Sequence, residues 1–120
     1  MIFKSHEEIV SEYHIQNIIN NIKNGNINIS TNESINNSIK DNCSRVDLVS
    51  KKTSLNRDKG SLFIESAVVI YSGITGKENK AILIIDVKLS DLKINNVEIY
   101  DYESNKTKYE TIVLSRNQFF

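Results

Sequence analysis

Five constellations in this 120-residue sequence could carry chemistry. Gly73-Ile74-Thr75-Gly76-Lys77 has the glycines and lysine of a phosphate cradle, where bare backbone N–H groups face an anion. A phosphate loop needs a glycine five residues before Gly76 and a hydroxyl after the lysine, whereas Tyr71 and Glu78 stand there. Strand-like flanks also deny it a helix dipole, so this stretch reads as a hairpin turn. His6 and His14 are the only histidines, and eight residues on one helix turn them about 80° apart, wrong for a shared metal. His14 could act as a general base only if folding brought Glu12 or Asp86 to it. Cys43 has Lys40 and Arg45 nearby, which would lower a thiol pKa, but it falls on an apolar stripe and reads as a small buried hydrophobe. Lys51, Lys52, Arg57 and Lys59 form the one basic run, without an interleaved aromatic on which a base could stack.

The fifth constellation is the stretch from Val97 to Leu114, VEIYDYESNKTKYETIVL. Read as a hairpin with the loop Glu103-Ser104-Asn105-Lys106, it pairs Tyr102 with Thr107, Asp101 with Lys108, Tyr100 with Tyr109 and Val97 with Ile112. A shift by two would set Asp101 against Glu110, which like-charge repulsion disfavours. Side-chain parity then sends Val97, Ile99, Ile112 and Leu114 to the core and Glu98, Tyr100, Tyr102 and Tyr109 outward. Tyrosine suits protein interfaces because it buries a large area with few rotors and keeps a hydroxyl for a partner. Glu98, Tyr100, Tyr102 and Tyr109, with Asp101 and Glu103 at the tip, are therefore the expected partner-binding residues. The competing reading is a Tyr100 and Tyr109 pair that steadies the sheet, covered by a helix or by Phe119 and Phe120.

The elements that must position these residues follow from capping and periodicity. Ser5 with Glu8 forms a capping box that predicts a helix to about Lys23. Its Ile9, Val10 and Tyr13 lie nearly opposite Ile15, Ile18, Ile19 and Ile22, so it either bends near His14 or is covered on both sides. Gly25 is a helix stop, and Ser30 with Glu33 starts a second helix carrying Ile35, Ile39, Cys43 and Val46 on one stripe. Residues 50–60 read as a polar loop. From Ser61 the period becomes two, predicting strands over 61–72, 80–89, 92–102 and 107–115, joined by connections too short for parallel crossovers. The expected fold is one α+β domain over 1–120, with two N-terminal helices on a curved four-stranded antiparallel meander. A helix apolar on two sides suggests a sheet curled around it, by analogy with cystatin-like or nuclear-transport-factor-like folds.

Bulk composition narrows the function. Fifteen basic and fifteen acidic residues leave no global field to steer the chain onto nucleic acid or anionic lipid. One cysteine excludes an internal disulfide and fits a reducing compartment, so the cytoplasm is expected. The N-terminal stretch has no apolar run of signal-peptide or membrane-spanning type. Proline is absent and Ile, Asn and Lys exceed a third of the chain, a bias of AT-rich coding found in many bacteria, phages and mobile elements. No catalytic residues, cofactor or metal are expected. A bacterial immunity protein or antitoxin that binds a cognate protein toxin is the leading expectation, with neither membrane nor nucleic acid as partner. The alternatives are a phage or mobile-element protein that touches nucleic acid through its basic run, and a small enzyme with His14 or Asp86 at the mouth of a pocket.

Overall fold

Ser5 caps the first helix as its spacing predicts, its hydroxyl accepting the Glu8 backbone N–H at 3.2 Å. In the computed structural model, which describes residues 5–24 and 45–115, that helix is α1, His6–Lys23. Four strands follow, β1 Arg45–Asn56, β2 Ser61–Tyr71, β3 Glu78–Lys88 and β4 Ile94–Asp101, then a second helix, α2, Lys106–Ser115. The strands form one antiparallel sheet in chain order, β1-β2-β3-β4, which makes this an α+β fold.

Period-two alternation divides the sheet between two cores. Ile64, Val68, Leu83, Ile85 and Ile99 point to one face, where Ile15, Ile18, Ile19 and Ile22 of α1 close over them. Ala67 and Ile82 point to the other, where Tyr109 and Ile112 of α2 seal the centre and Val49, Ile84, Tyr100, Tyr102 and Val113 pack around it. Ser50 of β1 ties this second layer down by donating its hydroxyl to the Ile112 carbonyl at 2.8 Å.

Three expectations change. The polar loop over 50–60 is mostly strand: β1 runs through Asn56 and only residues up to Gly60 turn, with Gly60 at φ 62° and its N–H on the Arg57 carbonyl. The two lysines that suggested a loop instead follow a register shift between Leu48 and Ser50, on a sheet edge where charge is tolerated. The strand expected over 107–115 is α2, so the meander has four strands but different members. Finally, the described residues do not show a sheet curled around α1, although Val10 of its second apolar side packs on the core. That arrangement would bury both sides, whereas Ile9 and Tyr13 are 54% and 66% exposed. The second N-terminal helix, with Gly25, Ser30, Glu33 and Cys43, lies outside the described residues, as do Phe119 and Phe120, while Val46 belongs to β1.

Candidate protein-binding surface

The hairpin expected after β4 is replaced by a capped turn into a helix. The Asp101 carboxylate accepts the backbone N–H and the hydroxyl of Ser104 at 3.1 and 3.2 Å, reversing the chain within a few residues. Asn105 anchors the start of α2, donating its side-chain amide to the Asp101 carbonyl while its own carbonyl accepts the Tyr109 N–H. Tyr109, Ile112 and Val113 then recur at helical spacing and face the sheet.

The cross-strand pairs of the expected hairpin are therefore absent, yet the tyrosines still meet. Tyr102 and Tyr109 pack edge-on with ring centroids 4.9 Å apart, and Tyr109 is only 8% exposed. Tyr100 and Tyr102 are partly buried at the margin of α2. Lys108 lies 5.5 Å from the Tyr100 ring centre rather than opposite Asp101, and Lys80 and Lys106 lie 5.2 and 5.9 Å from that of Tyr102. Asp101 is committed to its turn. Glu103, exposed, pairs with Lys106 at 3.5 Å within the helix start.

Glu98 accepts the Tyr100 hydroxyl and the Asn96 side-chain amide. That hydroxyl's bond to Glu98, followed by burial and by the negative charge of Glu98, holds the Tyr100 pKa above the ordinary tyrosine value. Burial, then Tyr102, raises Tyr109 in the same direction. Both shifts favour the neutral phenol in the folded protein, so their stabilisation is full below the unfolded tyrosine pKa of about 10 and is lost as pH rises through the folded values. Ultraviolet titration of phenolate is expected to show Tyr100 ionising late in the wild type and earlier in Glu98→Gln. Identical curves would mean that Glu98 does not hold the hydroxyl.

Next to the second core, the same sheet face is only partly covered among the described residues. The β1-to-β4 row Lys52, Glu65, Ile84 and Glu98 lies beside the row Ser54, Phe63, Asp86 and Asn96. Phe63 and Ile84, diagonal neighbours on β2 and β3, form a partly buried apolar centre between three carboxylates. Asp86 accepts Asn95 through one oxygen at 3.2 Å, and its other oxygen is buried without a hydrogen-bond partner. The sequence reading did not single out Phe63, Glu65 or Ile84. The alternation of Phe63 and Glu65 against Leu62 and Ile64 was the available signal.

The remaining candidates separate. Gly73–Lys77 is the turn between β2 and β3, with Gly76 at φ 71° donating its N–H to the Ser72 carbonyl at 2.9 Å. Lys51 turns toward α1 and pairs with Glu12 at 3.2 Å, Lys52 points to the opposite face, and Arg57 and Lys59 lie at the turn, so the basic run makes no single surface. His6 is exposed at the start of α1. His14, 8% exposed, donates from Nε2 to the carbonyl of Leu92 at 2.9 Å, meeting neither Glu12 nor Asp86 in a hydrogen bond. It borders a shallow groove of about 530 Å³ with Tyr13, Asn17, Asn21, Leu92 and Lys93. Among the described residues no three His, Cys, Asp or Glu side chains gather as a metal site, and no helix is long and apolar enough to cross a membrane.

No protein-family model matches the chain, and comparison with curated proteins and with solved structures found no match.

Proposed function

We propose that this protein is a small cytoplasmic binding module, specifically a bacterial immunity protein or antitoxin that neutralises a cognate protein toxin by direct contact. The observation that carries the reading is the partly exposed part of the α2-side sheet face, among the described residues: Phe63 and Ile84 among Glu65, Asp86 and Glu98, bordered by Tyr100. Apolar anchors on rigid strands supply buried area, and surrounding carboxylates select a basic partner such as a nuclease cleft. Tyr102, Asp101 and Glu103 extend this surface along the start of α2, whereas Tyr109 contributes from beneath by fixing the helix.

The test is to express the neighbouring reading frame with and without this gene, using wild type and a Phe63→Ser/Glu65→Lys/Glu98→Lys triple variant. Toxicity that the wild type rescues and an equally folded triple variant does not is the expected result. Rescue by both would move the binding surface elsewhere, and an absence of toxicity would remove the immunity reading.

The groove beside His14 favours a second reading, a protein that binds or processes a small polar ligand. With Nε2 committed to Leu92, only Nδ1 of His14 is left for chemistry. A fragment screen by NMR whose hits cluster on Tyr13, His14 and Lys93, and vanish in His14→Asn, would favour it over toxin binding.

A further inference from the structure

The two edges of the sheet are treated differently. β1 carries recognised protections against pairing with another chain: a register shift between Leu48 and Ser50, the adjacent charges Lys51 and Lys52, and α2 fastened over it through Ser50. β4 reads Ile-Asn-Asn-Val-Glu-Ile-Tyr-Asp, with no lysine, arginine or proline. Its one irregularity lies before Asn96, so the register from Val97 to Asp101 is regular. Among the described residues only β3 pairs with it.

The alternation of the ladder identifies the groups facing outward. Tyr102 donates its N–H to Lys80 of β3 at 2.9 Å. Counting back in steps of two, Tyr100 and Glu98 also direct their backbone groups at β3, so Val97 and Ile99 direct theirs away from the sheet. A strand laid there would set one row of side chains beside Val97 and Ile99, on the α1 side, and the other beside Glu98 and Tyr100.

We infer that the β4 edge is a strand-addition site for an extended segment of another protein, with β-branched residues on the α1 side and a lysine or arginine facing Glu98. The backbone supplies the attachment, and Glu98 supplies the charge preference. A second copy fits poorly. Every antiparallel register pairing Val97 and Ile99 with β4 of a twin sets Glu98 directly or diagonally against its counterpart, with no cation in either strand to offset the repulsion. The site shares Glu98 with the sheet face proposed above, but it uses the backbone edge of β4 and does not require the partner to be a toxin.

The test uses the full chain and two synthetic peptides, Thr-Lys-Val-Lys-Val-Lys-Thr and its Glu-for-Lys counterpart, followed by amide hydrogen exchange. The lysine peptide is expected to slow exchange at Val97 and Ile99 about tenfold or more while the glutamate peptide leaves them unchanged. Val97→Pro deletes an outward N–H and is expected to weaken binding of the lysine peptide by about tenfold, the value of one net hydrogen bond. Should that variant fold poorly, Glu98→Lys keeps the backbone and should exchange the preference between the peptides. Equal protection by both peptides, protection at β1 instead, or none at millimolar peptide overturns the inference. Concentration-dependent self-association that either variant abolishes would replace the stated occupant with a second copy. Because no toxin is used, failure here leaves the rescue experiment standing, and the reverse also holds.

Discussion

Replacing Ile85 with alanine is expected to destabilise the protein by about 2–5 kcal/mol, the range for deleting a large aliphatic side chain from a filled core. Ile85 is fully buried on β3, an inner strand, directly opposite Ile64 of β2 and Val97 of β4 and beneath α1. Strands on both sides hold the backbone in place, so the site cannot collapse around the vacancy and the cost should fall in the upper half of the range. Domains of this size are stable by about 5–15 kcal/mol, so a large share of the stability is at stake. Chemical denaturation should show a lower midpoint at nearly unchanged slope. Ile74→Ala, at a side chain 74% exposed in the β2–β3 turn, should change stability by less than about 0.5 kcal/mol. Similar losses at both positions would contradict this placement of the core.

Ile112→Asp is expected to release α2 while leaving the α1-side core folded. Ile112 is 1% exposed, and aspartate there has no cation placed to pair with it in the second core, so undocking is the cheaper response. Undocking should also melt the helix. Ten residues are too few for a stable isolated helix, and Thr107, Thr111, Ile112 and Val113 lower its intrinsic propensity further. The expected result is loss of helical circular dichroism with fast amide exchange across 106–115, while inner-strand amides of β2 and β3 stay protected. Simultaneous loss of protection on β2 and β3 would show that the two layers unfold as one unit.

That dependence explains why α2 was illegible as a helix. Its period-two reading, and the pairing of Asp101 with Lys108 that a four-residue loop would give, suggested a returning strand. What decides the outcome is the Asp101 turn and the fit of Tyr109, Ile112 and Val113 into the second face of the sheet, and propensity yields to packing. The capped start of α1 and the strands β2, β3 and β4 were legible, because Ser5 with Glu8 and the period-two runs are local signals. β1 was not: its valine and leucine positions are interrupted by a register shift and two lysines, which resemble a loop unless the edge position is known. For the surface, parity correctly grouped Glu98 with Tyr100 and Tyr102. The coverage of that group, and the partial exposure of Phe63 and Ile84, depend on how α2 docks on the sheet, which no local pattern encodes.

The strand order also bears on how the chain folds. Because β1 to β4 neighbour one another in sequence, each pairing closes only a short turn, at residues 57–60, 72–77 and 89–93. Short loops close quickly, so the sheet should assemble by successive hairpins at low contact order. The two described helices precede and follow the four strands in sequence and dock on opposite faces. During synthesis α1 is present before any strand, and its face can close as the strands emerge. α2 leaves the ribosome after all four strands, so among the described residues Ala67 and Ile82 gain their cover last, and a chain stalled before Lys106 would present an aggregation-prone apolar sheet face.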